Sequence, residues 1–118
     1  MEEYTRDEIF IFERVINDYK LFKKEIEDLI EKGYTMEDLL DYVRHLSSCD
    51  ITNVDLVSDY KYIDINYCDM TISILKDNDK IYLGDSIEVW NDSLCYYMGL
   101  FNCVKEIELL VKEYREND

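Results

Sequence analysis

Over residues 9–29 the apolar positions fall at steps of three and four: Ile9, Phe12, Ile16, Tyr19, Phe22, Ile26 and Leu29. That spacing lays one apolar stripe along a helix. Thr5-Arg6-Asp7-Glu8 precedes the stripe as a capping box, in which the Thr5 hydroxyl accepts the Glu8 amide and the Glu8 carboxylate reaches back. The helix is predicted to run to Lys32, with Gly33 supplying the left-handed backbone that ends it. Thr35-Met36-Glu37-Asp38 opens a second helix in the same manner, turning Met36, Leu39, Leu40, Val43 and Leu46 inward. So short a link makes the two helices antiparallel neighbours or the arms of a tight corner.

From Ser47 to Asp59 polar and apolar residues mix around Asp50, Asn53 and Asp55, which predicts a loop. Between Tyr60 and Trp90 the period becomes two, the mark of strands. Lys76-Asp77-Asn78-Asp79-Lys80 is a polar hairpin turn, Gly84-Asp85 a second break, and Cys68-Asp69 either a turn or a bulge. Asn91-Asp92-Ser93 offers N-cap side chains, after which Leu94, Tyr97, Met98, Phe101, Val104, Ile107, Leu110, Val111 and Tyr114 trace the face of one long last helix. The pattern predicts one α+β domain over residues 1–118: two N-terminal helices, a three- or four-stranded antiparallel meander, and a C-terminal helix packed on one sheet face.

Charge changes this picture most. Twenty-eight Asp and Glu oppose thirteen Lys and Arg, a net of −15, yet 47% of residues are hydrophobic and 14% aromatic, too many for a disordered acidic tail. Residues 37–92 alone hold thirteen of the acids and four of the bases. Such a surface is repelled by nucleic acid and by anionic membrane and drawn to basic proteins. Lys20, Lys23 and Lys24 are the one basic cluster, with acids around it; pairing of Lys20 and Lys23 with Glu27 along the first helix accounts for them.

The alternation also sorts the sheet residues. With Ile63, Ile65, Ile72, Ile74, Ile81, Leu83, Ile87 and Val89 turned to the helices, Tyr60, Tyr62, Asp64, Tyr82, Glu88 and Trp90 fall on the opposite face. Asp77 and Asp79 flank it on the hairpin turn. Aromatic rings carry interface energy and carboxylates meet Arg or Lys, so these eight residues form a candidate surface for a basic protein partner.

Other chemistry finds little support. His45 and Cys49, four residues apart, would share a face near the end of the second helix, but no third metal ligand accompanies them. Cys95 and Cys103, both placed on the last helix, would point about 80° apart. Asp77-Asn78-Asp79 with Glu88 has the outline of a calcium loop, yet Tyr82 stands where such a loop needs glycine. No phosphate-cradling or nucleophile-elbow motif occurs, so the expectation is neither an enzyme nor a cofactor carrier. The acidic start MEEYTRDE differs from a secretory signal, which predicts a cytoplasmic protein with Cys49, Cys68, Cys95 and Cys103 free and buried.

In size, acidity and lack of catalytic motifs the chain resembles the general type of small phage-encoded anti-defence proteins, anti-CRISPR inhibitors among them. That resemblance implies an inhibitor that covers the nucleic-acid-binding surface of a partner such as a nuclease, substituting carboxylates for phosphates. No motif carries it, so it transfers no site residues. The alternatives are an immunity protein for a basic toxin nuclease, built on the same physics, and a structural or adaptor module that forms a homodimer through the apolar face of the first helix.

Overall fold

A computed structural model of the chain describes residues 4–117, the Asp92 side chain excepted. Helix α1 (Arg6–Glu31) begins where the sequence spells its start: the Glu8 amide donates to Thr5 Oγ1 at 3.2 Å and the Thr5 amide to Glu8 Oε1 at 2.9 Å. It ends in a Schellman arrangement around Gly33 at φ +92°, with the Tyr34 amide donating to the Leu29 carbonyl and the Gly33 amide to the Ile30 carbonyl. Helix α2 (Met36–Arg44) repeats the capping box with Thr35 and Asp38. Most of the predicted stripes are buried, Ile9 to Ile26 on α1 and Met36, Leu39 and Val43 on α2, while Leu29, Leu40 and Leu46 are half-buried at the edge of the core, Leu46 beyond the end of α2.

The sheet has six strands: β1 (Cys49–Asp55), β2 (Lys61–Tyr67), β3 (Met70–Asp77), β4 (Lys80–Leu83), β5 (Ile87–Asn91) and β6 (Tyr96–Phe101), followed by α3 (Val104–Glu116). All pairings are antiparallel, in the order β1-β2-β3-β5-β6, with β4 also on β3. β4 and β5 thus share one edge of β3, β4 beside its end and β5 beside its start. Gly84 lies at the break between them. Its amide donates to the Ser73 carbonyl at 2.8 Å, and a Cβ there would sit 3.2 Å from Leu75 Cδ1. Cys68-Asp69 and Asn78-Asp79 are two-residue turns, each with its first residue in left-handed backbone, at φ 53° and 55°.

The α+β arrangement stands as predicted, and two segments differ from the pattern. Residues 49–55, expected to be loop, form the edge strand β1: Cys49 and Ile51 keep the strand alternation until a bulge at Thr52 shifts it. Residues 94–101, expected to open the last helix, form one 3₁₀ turn (Asp92–Leu94) and strand β6. Leu94, Tyr97, Met98 and Phe101 fit a helical period as well as a buried strand, and Gly99 and the strand formers Tyr96 and Tyr97 tip the balance. The meander therefore has two strands more than its upper prediction, and the last helix starts ten residues later, at Val104 with Cys103 as its N-cap.

One core joins these elements. Ile63, Ile65, Ile72, Ile74 and Ile87 are fully buried under Phe12, Tyr19, Phe22 and Ile26 of α1, Leu39 of α2 and Ile107 of α3. Each buried isoleucine contributes about 1.5–3 kcal/mol by leaving water. α1 lies against β4 and β5, α2 against β1, and α3 against β6 and α1. Tyr19 ties the layers together, its hydroxyl donating to the Gly84 carbonyl at 3.1 Å. Burial, then the negative charge of Asp85, pushes the Tyr19 phenol up to about 12. Arg14 of α1 pairs with Asp69 in the β2–β3 turn. Lys20 and Arg115 pair between α1 and α3 with Glu108 and Glu13, so Lys20 reaches across to α3 instead of along its own helix to Glu27.

Candidate functional site

The helices cover one face of the sheet only, and register determines what the other face carries. Cross-strand partners point to the same side. Asp50, Asn66, Thr71, Glu88 and Leu100 form one row across five strands, and Asp55, Tyr62, Leu75 and Tyr82 form another across four. Asn53, Asp64 and Ser73 lie between these rows. Their inward neighbours are the buried Ile63, Ile65, Ile72, Ile74 and Val89. Among the described residues only Lys61, Lys76 and Lys80 of the cations stand in strands, and of these Lys80 alone shares the outward parity of Tyr82. The open face is therefore acidic while the helix layer holds most of the positive charge.

Tyr60, Tyr62, Asp64 and Tyr82 come together around a shallow depression of about 450 Å³, with Asn53, Ser73, Leu75 and Gly84 completing much of its wall. Asn53 Nδ2 donates to the Tyr62 hydroxyl at 3.2 Å, and the Ser73 hydroxyl donates to Asp64 Oδ1 at 2.6 Å. Tyr60 is half exposed. Partial desolvation, then Tyr82, Asp77 and Asp64 nearby, raise its phenol above the ordinary value. Lys80 Nζ lies 6.0 Å from the centre of the Tyr82 ring.

Glu88 and Trp90 share the face but sit away from the depression, toward β6. The Trp90 indole donates to Thr71 Oγ1 at 3.1 Å, and its ring meets Tyr97 edge-on at 5.1 Å. Asp77 and Asp79 are exposed at the β3–β4 turn beyond the depression. Sequence reasoning named these eight residues and passed over Asn53, Ser73, Leu75, Tyr97 and Leu100. The alternation of Thr71, Ser73 and Leu75 against Met70, Ile72 and Ile74 already marked two of them as outward; Asn53, Tyr97 and Leu100 lie in the segments whose structure the pattern missed.

Elsewhere the structure rearranges the reactive side chains. Cys49 opens β1 and shares no helix face with His45, whose Nδ1 meets the Asp41 carbonyl at 2.7 Å. Cys95 precedes β6 and Cys103 caps α3, so they do not lie together on one helix. Of the four cysteines, expected to be buried, only Cys49 is; Cys68 and Cys95 are exposed and Cys103 is half-buried. Burial pushes the Cys49 thiol up to about 11. A second hollow, about 630 Å³ between α1 and β4, mixes Lys20, Lys23, Lys24 and Lys80 with Glu27, Asp28, Glu31 and Asp85, so its charges largely cancel. No described helix is long and apolar enough to cross a membrane.

No protein family, curated protein or solved structure is significantly similar to the chain.

Proposed function

We propose that this is a small protein-binding inhibitor whose open sheet face docks on a basic, nucleic-acid-binding surface of a partner protein, its carboxylates standing where phosphates would lie. The observation that carries the reading is the uncovered face itself. Tyr60, Tyr62, Tyr82 and Trp90 alternate there with Asp64 and Glu88 beside the Asp77 and Asp79 turn, and among the described residues Lys80 is the one strand cation on that side. Rings supply desolvated contact and carboxylates supply steering and register, the two ingredients of binding a cationic protein surface. An anti-defence inhibitor of the anti-CRISPR type and an immunity protein for a toxin nuclease both work this way. They differ in the partner's identity.

The test compares wild type with Trp90→Ala and Glu88→Lys as baits in extract of the host cell. A partner retained by wild type alone, then purified, should lose affinity at least tenfold between about 50 and 300 mM salt and should be displaced by DNA or RNA. Retention that is equal for all three baits, or indifferent to salt and nucleic acid, overturns the reading.

A homodimer through α1 is the second reading, favoured by Phe10 and Leu21, which stand 61% and 67% exposed on that helix while its main stripe is consumed by the chain's own core. Light scattering at micromolar concentration decides it. A strict monomer removes it.

A further inference from the structure

We propose that the depression between Tyr60, Tyr62 and Tyr82 is a receptor for a guanidinium group, presented by an arginine side chain of the partner. The inference rests on the reading that the open face binds a basic protein, and it names the group that this face takes in.

Three features of the depression select that chemistry. Tyr62 and Tyr82 occupy one cross-strand row on either side of Leu75, so their backbones lie two strand spacings apart, roughly 9–10 Å. A planar cation stacked on a ring needs about 3.5 Å of clearance, so the slot over Leu75 between these two strands is wide enough to admit one flat cation against a tyrosine face. Gly84, with no side chain, and the small Ser73 keep the neighbouring wall low. The slot is also held in place: Asn53 fixes the Tyr62 hydroxyl, and Ser73 fixes Asp64 through Oδ1.

Charge is the second feature. Asp64 and Asp85 both line the depression, and among the described residues Asp64 Oδ2 accepts no hydrogen bond. A cation that enters meets a carboxylate oxygen with its acceptor capacity unspent. The third feature is that Tyr82 already faces a cation, Lys80, at the outer limit of a cation–π contact. A guanidinium suits the slot better than an ammonium does. It is flat, less strongly hydrated, and presents several N–H donors in one plane, so it stacks on a ring while donating to Asp64.

The probe is N-acetyl-arginine amide, titrated into the isotope-labelled full chain and followed by NMR of the tyrosine rings and the Asp64 amide. Saturable shifts at Tyr60, Tyr62, Tyr82 and Asp64 with a dissociation constant of about 1–10 mM are expected, the range for a cation stacked on a ring and paired with a carboxylate. N-acetyl-citrulline amide, flat but neutral, and N-acetyl-lysine amide should each bind at least about tenfold more weakly. Asp64→Asn and Tyr82→Leu should each weaken the arginine probe by a similar factor while the rest of the spectrum keeps the wild-type fingerprint. If Tyr82→Leu unfolds, Asp64→Asn alone decides. Equal shifts from arginine and citrulline, equal shifts from arginine and lysine, or shifts untouched by Asp64→Asn overturn the site. Failure of the site and failure of the docking reading separate cleanly. A basic protein held by the face of a chain that ignores the probe sinks the site alone, whereas a chain that binds the probe but retains no basic protein sinks the docking reading alone.

Discussion

Replacing Tyr19 by phenylalanine probes the contact that joins the helix layer to the broken edge of the sheet. The ring is 1% exposed and its hydroxyl donates to the Gly84 carbonyl at 3.1 Å, so Tyr19→Phe keeps the packing and removes one buried hydrogen bond. A net bond is worth about 0.5–1.5 kcal/mol, and a carbonyl left without a partner costs about 1–3, so the variant should be about 1–2 kcal/mol less stable at pH 7. The same residue also shapes the alkaline limb. Its phenol is pushed from 10 up to about 12 by burial and then by Asp85, so in wild type the unfolded chain releases this proton first. The stabilisation is whole below about pH 10 and drains away as pH rises toward 12, about 3 kcal/mol over the full two-unit interval. Phenylalanine has no proton to lose. The stability gap between wild type and variant should therefore close above pH 10 and invert near pH 11. Urea unfolding followed by Trp90 fluorescence at pH 7, 9, 10 and 11 measures this, with equal slopes confirming a common unfolded state. Coincident midpoints at pH 7, or curves that stay parallel through pH 11, would refute the assigned contact.

Three shorter tests follow. Gly33→Ala meets no atom within 4 Å but must hold φ +92°, so it should cost about 1–2 kcal/mol in urea unfolding through backbone strain alone. The Asp55 carboxyl lies below the ordinary aspartate range because the Ser58 hydroxyl, then the Val57 and Ser58 amides, donate to it. Ser58→Ala should move its NMR titration upward, and an unchanged midpoint would remove the hydroxyl from the account. A soluble disulfide reagent at pH 8 should modify Cys68 and Cys95 quickly, Cys103 more slowly, and Cys49 only on unfolding, since that thiol is buried and pushed up to about 11.

How far the sequence predicts the structure depends on which segments had competing explanations. The starts of α1 and α2 and the end of α1 were legible because capping boxes, period and Gly33 all agreed, whereas α2 stops at Arg44, short of Leu46 and Cys49. The central strands were legible too, since Ile63, Ile65, Ile72 and Ile74 alternate with Tyr62, Asp64, Thr71 and Ser73 without interruption. β1 was hidden because an edge strand is wet on much of its length, leaving Asp50, Thr52 and Asn53 to imitate a loop, and its bulge broke the count of two. β6 was hidden for the opposite reason, being apolar at nearly every position, so that helical and strand periods both fitted. In β2 to β5 the outward set was readable through parity, whereas Asn53, Tyr97 and Leu100 of β1 and β6 were not. What parity does not encode is which outward side chains meet: β4 and β5 turn out to share one edge of β3, and that arrangement puts Tyr82 beside Leu75 and Glu88 beside Thr71, at separate ends of the same surface.

The two sides of each strand answer to different demands. Ile63, Ile65, Ile72, Ile74, Ile87 and Val89 hold the interior together, while the residues interleaved with them are half-buried or exposed and line the open face. Substitutions at every second position therefore disturb the scaffold less than substitutions at the positions between them. A scaffold built on this plan can acquire a different exterior by repainting a single plane, its interior left as it was.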